Sequence, residues 1–516
     1  MAGNDHHFID ISPDTGMATA TPAKPEGGGG GDGGEAKQKW LRKLTSASVN
    51  SAVLRDLISR TPMLWYLGDR PGTILRPRSR CSGRAGEALH TVRAVAIGPF
   101  HRGDRRLAFP DDAKLPFLRY LQDQCGLDAG ACVAALAAER GRLRGEFADA
   151  GDDEVEAVAE ALDDEDMFLE MLLLDSCFLL VVSMMLSRAG AGAGDDADAV
   201  MRAASISREY FILHMAVAQH ADDIKLDMLV LENQVPFAAV KLLAASCTGL
   251  NIRHYSVEDL VLGCFDDMCP KRAHHAAAGA AAAGELFRFH HVLHLFHWSR
   301  VPTNKYHVLS TPRKLVKIKK ESERLFPSYT ELRRSAVWFR RAPASGGDLD
   351  MRFWQHAAMP VAVMSVPCLD VHDYSAAVLH NLVAFEKHFY WAYGACATAH
   401  VARMEGLVRC EQDAAMLRRR GVLASARGSD AELVAVLRGL GEETVGARLP
   451  DEYGEMLGAV ARHRRRRLSG WCGGFVLHFF PTPWVAVSLA AAAALIFAPS
   501  MLQTVYTMLS YFKTTR

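Results

Sequence analysis

His290, His294 and His297 lie at spacings of four and three residues, next to a further histidine at position 291. On a helix these spacings place three imidazoles on one face, where they could bind a transition metal. The residues between them are apolar, and no carboxylate or thiolate ligand is near in the sequence. We therefore interpret these histidines as packing and hydrogen-bonding groups and expect no metal or other cofactor. A metal site at His290, His294 and His297 is the alternative.

Residues 227–237 join an apolar helical run to three consecutive polar residues, Glu232, Asn233 and Gln234. Buried polar side chains need hydrogen-bond partners. We interpret the segment as a helix stop in which Asn233 adopts a left-handed conformation and Pro236 starts the next helix. The alternative is that Glu232 acts as a general acid or base, but a lone carboxylate specifies no reaction.

Established catalytic signatures are missing from the sequence, which contains no G-x-S-x-G, no G-x-x-x-x-G-K-[ST] and no H-E-x-x-H. The catalytic residues are therefore unknown, and we expect a protein that is not an enzyme. An enzyme with an unrecognised site, using Glu232, His101 or the histidines at 290–297, is the alternative.

The chain has 516 residues, of which 49% are hydrophobic, with 59 Lys+Arg against 59 Asp+Glu. That length can bury a large core. The balanced charge argues against a basic nucleic-acid binder, so we expect no nucleic acid as a partner. Eleven scattered cysteines are typical of free thiols in a reducing compartment.

Apolar residues recur at three- and four-residue spacing through most of the chain, which predicts a mainly α fold. The predicted helices are 47–59, 115–124, 132–147, 207–218, 224–231, 237–245 and 378–403. The apolar stretch 167–186 approaches membrane length, but Asp175 near its middle favours a buried helix of a soluble body. One small β element is predicted over 349–366, around a turn at 356–360.

Composition divides the chain into four predicted parts. Residues 1–36 are a disordered, glycine-rich tail, and 45–455 form the helical domain. Exposed inserts interrupt this domain near 189–198 and 276–284. A basic collar at 462–467 then precedes a transmembrane region at 475–510.

The C-terminal region lacks Asp, Glu, Lys and Arg for 45 residues, from position 468 to 512. A helix over 484–509 would have 26 residues, where about 20 span the hydrocarbon core. We therefore predict one C-terminal transmembrane helix, in contact with membrane lipid. No signal peptide is predicted at the N-terminus, so the chain reads as a tail-anchored protein.

The collar places five arginines before the predicted span: Arg462, Arg464, Arg465, Arg466 and Arg467. Only Lys513 and Arg516 follow the span, so the positive-inside rule predicts a single-pass protein with a large cytosolic body. The collar could also bind anionic lipid headgroups, which makes a lipid-binding scaffold a further alternative.

Charge is also segregated within the body, with 13 acidic and no basic residues over 146–175, and 12 Lys+Arg over 300–341. Two solvated faces explain this pattern, and a surface for a protein partner is the alternative.

Several motifs together resemble a plant family known as domain of unknown function 247. They occur in the family's order across roughly residues 60–510. The residues that carry the resemblance are Ile97, Gly98, Pro99, His101, Asp175, Glu232, Asn233, Gln234, Pro236, Asn381, Phe385, Glu386, Pro483 and Trp484. Phe100 stands where the family has a tyrosine, and Ala336 stands where it has a glycine before a Val-x-Phe element.

The resemblance implies a plant protein that is mostly helical, commonly single-pass and without an established catalytic residue set. It favours protein interaction, recognition or signalling over metabolism. We therefore expect a membrane-anchored interaction module with an unidentified protein partner.

Overall fold

Helices dominate the residues that the structure, a computed structural model, describes: 39–46, 91–147, 162–187, 208–249, 256–272, 289–301, 315–317, 326–342, 349–355, 360–425, 429–479 and 483–514. The first ten helices are α1 (Lys39–Ser46), α2 (Leu115–Cys125), α3 (Ala129–Ala138), α4 (Arg140–Arg144), α5 (Glu165–Leu186), α6 (Arg208–Gln219), α7 (Ala221–Asp227), α8 (Phe237–Ala245), α9 (Val257–Gly263) and α10 (Val292–Arg300). A 3₁₀ helix (Asp111–Lys114) precedes α2.

The C-terminal half continues with α11 (Tyr329–Arg334), α12 (Ser375–Tyr393), α13 (Cys396–Leu407), α14 (Glu411–Arg419), α15 (Asp430–Glu443), α16 (Asp451–Arg464), α17 (Arg467–Phe479) and α18 (Pro483–Thr514). The strands are β1 (Leu315–Lys317), β2 (Val337–Arg341), β3 (Arg352–Gln355), β4 (Ala362–Val366), β5 (Leu369–Val371), β6 (Leu423–Ser425) and β7 (Arg448–Pro450). The mainly α fold with a small β element is confirmed.

Helix α5 lies at the centre of the larger hydrophobic core. Asp164 caps its first turn by accepting from the Met167 N–H at 2.8 Å. The helix packs against α2, α3, α8 and α9, which bury its leucines and phenylalanines on all sides. Each such buried side chain contributes about 1.5–3 kcal/mol. The prediction of a buried helix rather than a membrane span over 167–186 is confirmed.

A second hydrophobic core forms between α11, α13–α16 and a three-stranded sheet in the order β2-β4-β3. The antiparallel pair β3–β4 lies within the predicted β element. Strand β2 pairs parallel to β4 and was not predicted. The two-stranded sheets β1–β7 and β5–β6 were also missed, because three-residue strands carry too little alternation to be read from sequence.

The helix predicted over 224–231 ends early, at Asp227, and residues 228–233 form two turns and a bend. Side-chain amides of the next turn bind the carbonyls there, so the backbone is satisfied without further helix. Asn233 is not in the left-handed conformation that was predicted. Among the described non-glycine residues, Ala336 alone has a positive φ. Pro236 does precede α8, as predicted.

The helix predicted over 378–403 is divided between α12 and α13. Gly394, with φ of 82°, lies between them in a left-handed conformation that ends α12. The helix predicted over 132–147 also needs correction. Helix α3 begins at Ala129, where Asp128 caps it, and it ends at Ala138, before the short helix α4. These boundaries depend on caps rather than on hydrophobic period.

The remaining helix predictions at 115–124, 207–218 and 237–245 correspond to α2, α6 and α8 within one residue at each end. The helix predicted over 47–59, the tail at 1–36 and the inserts at 189–198 and 276–284 lie outside the described residues.

The C-terminal apolar region contains two helices, and the helix predicted over 484–509 corresponds to the second of them. Helix α17 ends at Phe479, and α18 continues as a separate helix of 32 residues with Pro499 inside it. Residues 491–510 of α18 are long and apolar enough to cross a membrane, and none of them is buried against the body. The region predicted at 475–510 therefore begins within α17.

Ala336 has a φ of 57°, a conformation that is strained for any residue with a Cβ. It lies immediately before β2, at the position where the resembled family has glycine. We expect Ala336→Gly to stabilise the fold by about 1 kcal/mol, because glycine removes this strain. Thermal or urea denaturation of the detergent-solubilised chain would measure the change. Ala435→Gly, within α15, is the control and should instead destabilise by about 1 kcal/mol. Equal effects at the two positions would contradict the prediction.

Candidate functional site

The family-motif residues of the N-terminal half surround one buried irregular segment, residues 93–98, which precedes the 3₁₀ helix. Such a segment makes few hydrogen bonds to itself, so its backbone needs partners elsewhere. Three elements supply them: α5, the 3₁₀ helix and the turns after α7. The side chains of Lys114, Asp175, Asp227 and Asn233 bind this segment, and Gln234 binds the turns beside it. We call these five residues the motif network.

An ion pair between Lys114 and Asp175 forms the first part of the network, and both side chains are almost fully buried. Asp175 also accepts from the Gly98 N–H at 2.8 Å. Lys114 Nζ donates to the Ala96 carbonyl at 2.6 Å and to Asp111 at 3.1 Å. Burial raises the pKa of Asp175, while the Lys114 ammonium acts in the opposite direction. The pair thus connects α5 and the 3₁₀ helix to the buried backbone at Ala96 and Gly98.

Asp227, at the end of α7, binds three successive backbone N–H groups. Its carboxylate accepts from Arg93 at 3.0 Å, Ala94 at 2.6 Å and Val95 at 2.9 Å. Burial raises the pKa of Asp227 to about 7, and these donors oppose that rise. An acceptor-only group suits a position that faces three donors.

Asn233 and Gln234 complete the network with their amides. Asn233 accepts from the Ile97 N–H at 2.7 Å and donates to the carbonyls of Val95 and Asp227, each at 3.0 Å. Gln234 donates to the carbonyls of Met228 at 2.9 Å and Val230 at 2.7 Å. Its oxygen accepts from the Leu293 N–H at 3.3 Å, which links the turns to α10.

Gly98 permits a close approach between the segment 93–98 and the backbone of Gln234. Its φ is 82°, and a Cβ at this position would collide with the Gln234 carbonyl oxygen. Glycine is thus required both for its backbone conformation and for the space. Pro99 follows it directly, and His101 is buried three residues later.

A second group of motif residues lies on α12 and binds different backbone. Asn381 accepts from the Leu231 N–H at 3.2 Å. The Glu386 carboxylate accepts from the N–H groups of Ala397 at 2.8 Å and Thr398 at 2.7 Å, at the start of α13. Phe385 packs 5.0 Å from the His297 ring, centroid to centroid. These residues fix the turn between α12 and α13 and its contact with α10.

The histidines do not assemble as one helical face, because α10 begins at Val292 and His290 precedes it. His290 lies 2.9 Å from Glu146 and 3.1 Å from the Tyr393 hydroxyl. His297 Nε2 instead lies 2.8 Å from Glu386. Burial lowers the pKa of His294, which keeps its imidazole neutral. Among the described residues, no three His, Cys, Asp or Glu side chains are placed to hold a metal.

Glu232 lies within the motif but outside the network defined above, and its carboxylate is buried between Leu231 and Asn233. Pro483 and Trp484 begin α18, far along the chain from these groups. The five collar arginines are exposed, and Arg464 pairs with Glu331 at 3.2 Å.

Lys114 and Asp227 were not among the predicted site residues, although both bind the central segment. Asp227 could have been included, since it begins the 227–237 motif. The sequence gives only a weak indication of a role for Lys114, namely its position three residues after Asp111 in the same short helix. Its partner Asp175 is 61 residues away in sequence.

These contacts define a mainly helical protein whose motif side chains hold irregular backbone in place. The chain belongs to the plant family known as domain of unknown function 247, since the model of this family, described as a plant protein of unknown function, matches residues 77–498. A UPF0481 protein of Arabidopsis thaliana is 22% identical over 442 residues, which are 81% of this chain and 83% of that protein. No solved structure matches the chain.

Gly98→Ala should destabilise the fold by more than about 3 kcal/mol, because a methyl group adds a collision with Gln234 to the cost of positive φ. Gly103 is a matched control, since its φ is 83° and a Cβ there would meet nothing within 4 Å. Gly103→Ala should cost only about 1 kcal/mol. Chemical denaturation monitored by circular dichroism would compare the two variants, and similar losses would show that the close approach is unimportant.

Lys114→Met should destabilise by about 3–5 kcal/mol, since it leaves Asp175 buried without its cation. Replacing Asp175 by Asn as well removes the buried charge, so Lys114→Met/Asp175→Asn should lose about 2 kcal/mol less than the sum of the single variants. A double-mutant cycle by urea denaturation measures this coupling. Strict additivity of the two substitutions would argue against the ion pair.

Proposed function

We propose that this plant protein is a recognition module whose helical body is held at a membrane by α18 and binds another protein. The observation that carries the anchoring is that none of the residues 491–510 of α18 is buried against the body. Its large apolar residues Leu495, Phe497, Leu502, Tyr506 and Leu509 are each more than 60% exposed. A helix that is apolar all round needs apolar surroundings, and a lipid bilayer provides them.

Hydrogen bonding within α18 also suits a bilayer. Ser500, Thr504 and Thr507 donate their hydroxyls to helix carbonyls four residues earlier, at 2.9, 2.8 and 2.6 Å. Polar groups in hydrocarbon must be satisfied within the protein. Helix α5 is also long and apolar enough to cross a membrane, but most of it is buried in the body, so a single pass is proposed.

The collar supports a cytosolic body. Its five arginines are exposed at the junction between α16 and α17, on the N-terminal side of the span. Cytoplasmic flanks of transmembrane helices carry such an excess of arginine and lysine.

A recognition role is supported by what the motif residues do. Asp175, Asp227, Asn233 and Glu386 bind backbone N–H groups and are buried, so their contacts serve the architecture of the body. The family model adds no reaction to this picture. The body is then a rigid support, and its function lies at the surface that it presents.

Proximity labelling in plant cells tests the proposal by comparing the full chain with a chain that lacks residues 468–516. We expect the full chain to enrich a specific set of protein neighbours at a membrane and the truncated chain to lose them. Protease protection of an N-terminal tag in microsomes supplies the orientation, and the tag should be digested. A protected tag would overturn the cytosolic placement, and the absence of anchor-dependent neighbours would overturn the recognition role.

A further inference from the structure

The sheet β2-β4-β3 has one face in its core and one in solvent. Side chains alternate between the two faces of a strand, so the register assigns the outward positions. Trp338, Val363 and Trp354 form one outward row across the three strands. Arg340 and Arg352 lie in the next row, on either side of Ser365, which is buried between them. We call the two tryptophans, Val363 and the two arginines the outer sheet face. The inward face, with Val337 and Met364, belongs to the second core.

Both tryptophans of the outer sheet face are unusually exposed, Trp338 at 40% and Trp354 at 42%. Each carries an arginine over its ring, with Arg333 4.7 Å from the Trp338 ring centroid and Arg340 5.3 Å from that of Trp354. Cation–π contacts of this kind hold the guanidinium groups close to the surface. Arg352 is also fixed, since its Nε donates to Asp350 at 2.6 Å.

The outer sheet face is directly connected to the elements that lead into α18. Gly473 of α17 packs so closely on the backbone of Arg334 and Ala336 that any Cβ would collide with it. The carbonyl of Ser335 accepts from His463 Nε2, at the end of α16, at 2.7 Å. Strand β2 therefore begins beside the collar and α17, one residue before Trp338.

Further aromatic and basic groups lie on the same connecting elements. Leu468 and Trp471 of α17 are 67% and 69% exposed. Gln355, on the inward side of β3, lies beside Arg466 of the collar, and turning its amide would place the oxygen 3.1 Å from Arg466 Nε. Exposed tryptophan beside arginine is the composition that proteins place at the level of lipid headgroups.

We propose that the outer sheet face binds the anionic phospholipid headgroups of the membrane that α18 crosses, and so fixes the orientation of the body on the lipid surface. The arginines pair with the phosphate and carboxylate groups of the lipid, and the tryptophans enter the interface between water and hydrocarbon. This inference rests on the anchoring in the proposed function. The tether favours lipid as the occupant, because it holds the face beside the bilayer at a high effective concentration.

The test uses the full chain in nanodiscs of phosphatidylcholine, with or without phosphatidylserine, in which some of the phosphatidylcholine is brominated. Bromine quenches tryptophan that reaches the interface. The difference between the parent chain and Trp338→Phe/Trp354→Phe isolates the two tryptophans from the others. We expect these two to be quenched in discs with phosphatidylserine and much less in discs without it.

Arg340→Glu/Arg352→Glu keeps both tryptophans and should lower the ratio of docked to undocked body by at least about 25-fold, since each arginine near an anionic surface contributes about fivefold. Arg419→Glu/Arg438→Glu is the matched control, because it makes the same charge change at exposed positions of α14 and α15. The control should leave the quenching unchanged.

Quenching that is independent of phosphatidylserine, or equally reduced in both charge-reversal variants, would overturn the docking. So would a loss of protein neighbours in Arg340→Glu/Arg352→Glu with quenching unaltered, since the face would then belong to a protein partner. Elution of the chain apart from the discs would instead overturn the anchoring itself, which keeps the two failures distinguishable.

Discussion

The need to satisfy the buried backbone of residues 93–98 governs the arrangement of the N-terminal half. An unpaired N–H in the interior costs about 1–3 kcal/mol, and this segment places several of them together. Asp227, Asn233 and Asp175 bind the N–H groups in order along the segment, from Arg93 to Gly98. Because the three side chains come from separate elements, the segment can be satisfied only when α5 and the turns after α7 are both in place.

This requirement explains why polar residues interrupt otherwise apolar sequence. Asp175 lies fully buried in the long apolar helix α5, where a charge is costly unless it is paired and hydrogen-bonded. Lys114 and the Gly98 N–H meet both conditions. Similarly, Glu386 on α12 accepts the first N–H groups of α13, which no helical carbonyl can reach. In both halves of the body, the motif side chains hold turns that hydrophobic packing alone would leave undefined.

Sequence patterns predicted the parts of the fold that depend on local periodicity. The charge at Asp175 distinguished the buried α5 from the exposed α18, although both are long and apolar. Patterns failed where the deciding partner is distant in sequence. The end of α7 depends on amides six residues ahead, and the parallel strand β2 depends on β4, which a crossover separates from it. The motif residues were identified by type, but their backbone partners required the folded chain.

The total charge of zero takes on a physical meaning once the positions are known. Residues 460–516 contain seven Lys+Arg and no acidic residue, so the preceding residues carry a net charge of −7. A negative body would be repelled by an anionic leaflet, but screening limits this repulsion to charges within about 8 Å of the surface. Under the proposed anchoring, only the groups nearest the lipid then decide the orientation, and the collar and the outer sheet face supply basic groups for that contact. An acidic body and a basic contact face would together favour the proposed orientation on an anionic surface, because opposite charges attract and like charges repel.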